Sequence, residues 1–244
     1  MRAVGVIPAR YDSSRFPGKP LAPLLGRPMI QWVWERAARV RGLERLIVAT
    51  DDRRIASAVE GFGGEAVMTS PACASGSDRA WEAVRELSCD VVVNLQGDEP
   101  GLEPAAVDAL MSLMASDPAL GLGTLATPLL DPEEAADPNV VKVVLGEDGR
   151  CHYFSRSPVP FFREEGGGGA RWRHVGIYAF RKALLGAFTA WPQSPLERAE
   201  RLEQLRALEH GVLIRAVTAD WPACAVDTPE DIPAAESYLR SHPL

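Results

Sequence analysis

The sequence predicts an α/β fold: a mixed, mostly parallel, doubly wound sheet with an antiparallel excursion in its second half. Three observations carry this expectation. Short apolar runs of strand type at 4–7, 46–49, 66–68 and 90–95 alternate with helical periodicity through the first half, and βαβ repetition calls for a parallel sheet with helices on both faces. The run Asp90-Val91-Val92-Val93-Asn94-Leu95 is apolar without alternation, as suits a strand buried on both faces. After residue 140, two strand-like stretches flank Glu147-Asp148-Gly149, a good hairpin turn. A chain of 244 residues with 46% hydrophobic content can bury one large core, so a single domain over 1–244 is expected.

Taken in order, Val4-Gly5-Val6-Ile7 is the first strand, and Pro8 ends it because proline cannot donate to a ladder. Pro28 opens a helix with Met29, Ile30, Trp32, Val33 and Ala37 at helical spacing, and Gly42 closes it. Leu46 to Ala49 is the second strand. Asp51 or Asp52 caps the next helix, and Gly61, Gly63 and Gly64 break it before Ala66-Val67-Met68. Ser75 or Ser77 caps a helix with Trp81, Val84 and Leu87 on its inner face, which leads to the buried fourth strand. Beyond it the pattern predicts a helix over 104–115 and strands over 122–127, 140–145 and 150–154. A flexible glycine loop at 166–169, a strand over 172–180, a helix over 195–209, a strand over 212–217 and a closing amphipathic helix over 229–239 complete the chain.

Composition excludes several classes. The formal charge is −7 and there is no Lys/Arg block, whereas binding a phosphate backbone needs a sustained basic surface. The apolar run after Arg2 is short and ends in Pro-Ala-Arg, so neither a secretory leader nor a span is expected, and the protein should be cytoplasmic. Cys73, Cys89, Cys151 and Cys224 form no CxxC pair, which favours reduced structural thiols.

The chemistry begins in the loop after the first strand. Residues 9–19, Ala9-Arg10-Tyr11-Asp12-Ser13-Ser14-Arg15-Phe16-Pro17-Gly18-Lys19, set three cations and two serine hydroxyls at the carboxyl end of a strand, where α/β sheets bind ligands. Arg15 and Lys19 flank a Pro-Gly turn, so a planar fork and a point charge can meet one polyphosphate. A solvated basic loop is the bland alternative. Only three lysines, Lys19, Lys142 and Lys182, stand among 26 cationic residues, so a lysine here reflects chemical need more than background. No GxxxxGK[ST] motif exists, because Pro20 follows Gly18-Lys19. Gly61-x-Gly63-x-x-Ala66 precedes a strand, the wrong order for a dinucleotide fingerprint.

Two acidic sites accompany the loop. Gln96-Gly97-Asp98-Glu99-Pro100 ends the buried strand, where glycine permits a close approach. Val226-Asp227-Thr228-Pro229-Glu230-Asp231 offers a second carboxylate, although the same residues read equally well as a helix start. Magnesium would give both carboxylates a reason to meet the basic loop, since it is held by one or two carboxylates plus substrate phosphates.

These motifs, with Tyr153-Phe154-Ser155-Arg156, His174-Val175-Gly176-Ile177-Tyr178, Ser194-Pro195-Leu196-Glu197 and Leu202-Glu203-Gln204-Leu205-Arg206, resemble the 3-deoxy-manno-octulosonate (Kdo) cytidylyltransferases, the CMP-Kdo synthetases. The resemblance runs from residue 4 to about 232. It departs mildly at Ser14, where Thr is usual, at Phe16, where Leu is usual, and at Gly76-Ser77-Asp78-Arg79, where Thr follows the glycine.

The resemblance implies a nucleotidyltransferase fold of glycosyltransferase-A-like type, a homodimer, CTP and Kdo as substrates, Mg²⁺, and a product destined for lipopolysaccharide. It makes Ala9, Arg10, Arg15 and Lys19 the nucleotide loop, with Ser75 and Arg79 near the cytosine and Lys19, Asp98 and Asp227 catalytic. Asp98 and Asp227 become metal ligands, and Gln96, Arg156, His174, Tyr178, Glu203 and Gln204 line the sugar pocket. Without it, His174 and Tyr178 read as ordinary strand residues and Glu203 and Gln204 as a solvated helix face. Two rivals remain open: a CMP-sialate synthetase or other sugar nucleotidyltransferase, whose first motif in the sialate case usually ends Gly-Lys-Asn, and a nucleotide-sensing domain without catalysis, which should lack a metal carboxylate.

Overall fold

The computed structural model describes residues 1–12, 15–163, 170–221 and 224–243. Two features expected from the sequence, the serines at 13–14 and the glycine loop at 166–169, lie outside the described residues. The chain divides into two compact units, residues 1–108 with 223–244 and residues 109–222.

The first unit runs β1 (Ala3–Ala9), a two-residue hairpin of β2 (Pro23–Leu24) and β3 (Arg27–Pro28), α1 (Met29–Ala37), β4 (Arg45–Thr50), α2 (Arg53–Gly61), β5 (Glu65–Met68), α3 (Gly76–Val84) and β6 (Val91–Asn94). α4 (Pro104–Ser116) carries the chain onward. β1 pairs in parallel with β6 on one side and β4 on the other, and β4 pairs in parallel with β5. Val6, Ile7, Ile47, Val48, Val91, Val92 and Val93 are fully buried, which explains why these strands are apolar without alternation. Because β1, β4 and β6 run the same way, the loops that leave their carboxyl ends open along one edge.

The sequence leaves two caps open, and the structure decides both. Asp52 caps α2 by accepting from the Arg54 N–H at 2.8 Å. Ser75 caps α3 in a reciprocal box with Asp78. The expected inner face of α3 needs correction: Ser77, Ala80 and Val84 are buried, Trp81 is half-buried, and Leu87 lies past the helix end at Val84. α1 also ends earlier than Gly42 suggests, at Ala37.

The second unit runs β7 (Leu122–Leu129), α5 (Pro132–Ala136), β8 (Lys142–Leu145), β9 (Cys151–Ser155), β10 (Arg171–Arg181), α6 (Lys182–Ala190), α7 (Pro195–Glu200), α8 (Gln204–Glu209) and β11 (Ile214–Thr218). β11 is parallel to β7, and β7–β10, β10–β8 and β8–β9 are antiparallel. The excursion predicted around Glu147-Asp148-Gly149 is the β8–β9 hairpin, closed by the Gly146 N–H on the Arg150 carbonyl at 2.8 Å. The helix expected over 195–209 is two helices. Arg201 breaks it in a left-handed conformation, φ 54°, and a buried Arg206–Glu197 ion pair at 2.5 Å ties α8 back to α7.

The chain returns to the first unit with a 3-10 turn at Pro229–Asp231 and α9 (Ile232–Ser241), where the sequence expects one helix over 229–239. Leu24, Met29 and Trp32 form one buried cluster with Cys224, Val226, Ala235 and Leu239, and the Trp32 indole N–H donates to the Leu24 carbonyl at 2.8 Å. Each large apolar side chain buried there contributes roughly 1.5–3 kcal/mol. This packing holds residues 224–227 beside the first loop. Among the described residues no helix is long and apolar enough to cross a membrane, and the four cysteines are free thiols.

Candidate active site

The basic loop is shaped by a glycine and an aromatic ring. Gly18 adopts φ 73°, donates its N–H to the Tyr11 carbonyl at 2.9 Å, and has the Tyr11 ring where a Cβ would need to be, 3.1 Å away. The Arg54 guanidinium covers the same ring at 3.4 Å from its centroid. The turn at Lys19–Leu21 follows at once, so Lys19 leaves a fixed backbone.

Two backbone contacts bring the distant carboxylates to that lysine. Gly97 lies so close to β1 that a Cβ on it would sit 2.7 Å from the Pro8 carbonyl oxygen, which seats Asp98 at the strand edge. The Val226 N–H donates to the Asp98 carbonyl at 2.9 Å, and the Cys224 N–H donates to Glu99 Oε1 at 2.6 Å, joining 224–227 to this turn. Lys19 Nζ then stands 2.6 Å from Asp98 Oδ2, 3.0 Å from the Val226 carbonyl and 3.6 Å from Asp227 Oδ1. Arg15 Nη2 reaches Asp227 Oδ1 at 3.1 Å. The helix-start chemistry is done by others. The N–H groups of Asp227 and Thr228 both donate to Asp231 Oδ2 at 2.8 Å, leaving the Asp227 carboxylate to the cations.

A third wall is the amino end of α3. Ser75, Gly76 and Arg79 line one pocket with Ala9, Arg10, Arg15, Lys19, Gln96, Asp98 and Asp227, all in the first unit. Ser75 serves as helix cap and pocket wall at once. Arg79 is buried, and its guanidinium is fixed by Asp51 Oδ2 at 2.8 Å and Thr69 Oγ1 at 2.6 Å. Four cationic side chains and a helix amino terminus make the pocket fit a polyanion. Cys73, also in the wall, donates to Glu82 at 3.0 Å; burial and that carboxylate push its thiol up to about 11, so it stays protonated.

The donor set suits a hard divalent cation. Asp98 and Asp227 already place carboxylate oxygens on one small cation, the Lys19 ammonium. Among the described residues no group of three or more His, Cys, Asp or Glu side chains could hold a metal alone, so substrate oxygens would have to complete the shell.

The remaining predicted residues belong to the second unit. His174 is buried, its Nε2 lies 3.0 Å from Thr124 Oγ1, and burial lowers its pKa to about 3, so the ring is neutral and offers a hydrogen bond rather than a charge. Tyr178 packs on it at 5.4 Å between centroids, and burial pushes its phenol well above the ordinary value. Arg156 gives Nε to the Glu200 carbonyl at 2.7 Å, Nη1 to that of Pro138 at 2.8 Å and Nη2 to that of Arg201 at 3.4 Å, which holds the turn between α7 and α8. Glu203 is half-buried. Gln204 is buried, not on a solvated face, and its Nε2 has no hydrogen-bond partner among the described residues.

Comparison with known proteins bears on this geometry. A cytidylyltransferase family model matches residues 4–214. The chain belongs to the cytidylyltransferase family. It is 49% identical to the 3-deoxy-manno-octulosonate cytidylyltransferase of Syntrophotalea carbinolica, over 98% of this chain and 99% of that one. It is 46% identical to the 8-amino-3,8-dideoxy-manno-octulosonate cytidylyltransferase of Shewanella sediminis, over 98% and 99%. A solved CMP:2-keto-3-deoxy-manno-octonic acid synthetase complexed with CTP superposes with a TM-score of 0.94 at 43% identity, covering 99% of this chain and all of that one. The chain is thus a nucleotidyltransferase of the α/β fold its sequence predicts.

Sequence reasoning missed the supporting residues. Glu99 was in view within the Gln-Gly-Asp-Glu-Pro motif, but its role as acceptor for Cys224 depends on a contact across 125 positions. Asp51 read only as a helix cap, whereas it anchors Arg79. Lys142 enters the sequence reading only as one of three lysines, with no role. It is fully buried, and its Nζ donates to the carbonyls of Asp137, Val140 and Arg156 at 2.9, 2.6 and 2.5 Å, while burial lowers its pKa.

Proposed function

We propose that this cytidylyltransferase activates 3-deoxy-manno-octulosonate: CTP and Kdo give CMP-Kdo and pyrophosphate. The observation that carries the proposal is the meeting of Lys19 and Arg15 with Asp98 and Asp227 in the pocket walled by the amino end of α3. Near-full-length similarity to cytidylyltransferases acting on this class of acidic sugar supports the choice of nucleotide and acceptor.

In this reading the anomeric hydroxyl attacks the α-phosphorus in line and pyrophosphate departs. Arg15 and Lys19 meet the charge gathering on the leaving group. Arg79, held by Asp51 and Thr69, and Ser75 at the helix start bind the nucleoside end. Asp98 and Asp227 would hold Mg²⁺, which when bound lowers the pKa of the attacking hydroxyl and neutralises phosphate charge. Gln96, Arg156, His174, Tyr178, Glu203 and Gln204 are assigned to the sugar. The unspent Gln204 amide donor supports this, since an unsatisfied buried donor costs about 1–3 kcal/mol until something accepts from it. The same reading takes the enzyme to be a cytoplasmic homodimer that supplies lipopolysaccharide assembly, with no nucleic acid or membrane partner.

A coupled pyrophosphate assay over the four nucleoside triphosphates and a panel of acceptors tests it. Turnover is expected with CTP and Kdo, lost on chelation. It should be much slower with N-acetylneuraminate, glucose 1-phosphate and N-acetylglucosamine 1-phosphate. Sialate or a sugar 1-phosphate ahead of Kdo would overturn the assignment.

A further inference from the structure

Lys19 is placed oddly for a residue whose only task is to meet phosphate. Its ammonium has three donors, and three oxygens of the protein already face it: Asp98 Oδ2 at 2.6 Å, the Val226 carbonyl at 3.0 Å and Asp227 Oδ1 at 3.6 Å. Its side chain is 14% exposed, against 31% for Asp98 and 43% for Asp227, so the cation lies deeper than the carboxylates that hold it. Arg15 adds a second positive charge on Asp227 Oδ1. Two carboxylates and two cations leave this corner of the pocket formally neutral.

We propose that Lys19 is a resident counter-ion: in the free protein its ammonium fills the place between Asp98 and Asp227 that a divalent cation needs, and gives it up only when nucleotide phosphates draw it away. The inference rests on the cytidylyltransferase reading, which supplies both phosphates and metal. A metal ion arriving alone meets oxygens already in use and repulsion from an ammonium within a few ångströms. A triphosphate changes the balance, because it offers Lys19 several anionic oxygens and leaves Asp98 and Asp227 in need of a new cation. The flexible four-carbon stem of lysine allows the exchange without moving the turn that begins at Gly18. Metal and nucleotide affinities are therefore positively coupled, and coupling of this kind is reciprocal.

Direct Mn²⁺ binding to the full chain without nucleotide, followed by the paramagnetic resonance signal of free Mn²⁺, tests the proposal. Lys19→Met should bind Mn²⁺ at least ~10-fold more tightly than the wild type, within the usual range of coupling between sites. Adding Asp98→Asn to that variant should abolish the gain. Mn²⁺ alone should also raise the melting temperature of Lys19→Met and leave the wild type unchanged. Lys19→Gln, which keeps a donor but no charge, repeats the test if the methionine variant folds poorly. Equal affinity in wild type and both variants would overturn the proposal. So would variants that melt early and gain no affinity, which would make Lys19 a strut for residues 226–227. Pyrophosphate release by the wild type is read separately, so either outcome leaves the proposed reaction to stand or fall on its own assay.

Discussion

Gly97→Ala is the smallest change that should disable the site. Gly97 has no left-handed φ, so backbone strain is not the issue. An added Cβ would lie 2.7 Å from the Pro8 carbonyl oxygen, with Ile7 Cγ2 at 3.5 Å and Ile30 Cδ1 at 3.8 Å closing the space behind. A carbon needs about 3.3 Å from a carbonyl oxygen, so something must move by roughly 0.6 Å. Pro8 sits in β1, held opposite Ala49 by the parallel pairing with β4, and Ile7 and Ile30 are fully buried. The turn carrying Asp98 is therefore what yields. Asp98 Oδ2 and Lys19 Nζ are 2.6 Å apart, and a shift of this size spoils that contact. Misplacement by 1 Å can cost about 100-fold in rate, so kcat should fall roughly 10- to 100-fold, while overpacking lowers stability by about 1–3 kcal/mol. Steady-state pyrophosphate release and urea unfolding on the same preparation separate the two effects. Turnover within twofold of the wild type would show that the position of Asp98 beside β1 does not govern the chemistry.

Asp227→Asn should cost at least ~100-fold in turnover with little change in melting, because Asp231 and Thr228 make the turn without it; near-normal turnover would return Asp227 to a spectator. Asp51→Asn should raise KM for CTP more than it lowers kcat, and should lower stability by about 3 kcal/mol as the buried Arg79 charge loses its carboxylate; unchanged KM would detach Arg79 from the nucleotide. His174 links stability to acid. Its pKa is about 3 folded and about 6.5 unfolded, so below pH 6.5 the unfolded chain binds the extra proton and stability falls as pH falls toward 3. The slope approaches about 1.4 kcal/mol per pH unit, or about 2 kcal/mol lost by pH 5. Urea unfolding at pH 7 and 5 should show that loss in the wild type and not in His174→Gln; equal losses would mean the ring is not held neutral.

Much of the fold was legible because its signals are local. Gly18 and the run of valines at 91–93 each act through their own backbone or burial, so strands, loop and order follow from residues near in sequence. Pro8 misleads: it does not end β1, which runs on to Ala9, because β6 pairs with β1 only as far as Val6 and beyond that β4 alone lies beside it. The helix over 195–209 misread for the same reason: Leu202 and Leu205 stay buried just past the break and Glu197 before it, and periodicity cannot register one residue, Arg201, turning left-handed. At the site, spacing could name Lys19 and Asp98 but left Asp227 divided between helix start and pocket. What places it is the cluster of Trp32, Val226 and Leu239 and the Val226 N–H on Asp98, contacts between the two ends of the chain. Burial was equally hidden. His174 and Gln204 carry polar side chains, and only the packing around them shows that one is neutral and the other unpaired.

In the proposed reaction CTP is opened at its α-phosphorus by the acidic sugar. Phosphorus NMR of purified enzyme with CTP, Kdo and Mg²⁺ reads this directly. A new phosphodiester resonance and pyrophosphate should appear in equal amounts, both absent when Kdo is left out. CDP with inorganic phosphate, or CTP consumed at the same rate without Kdo, would contradict it.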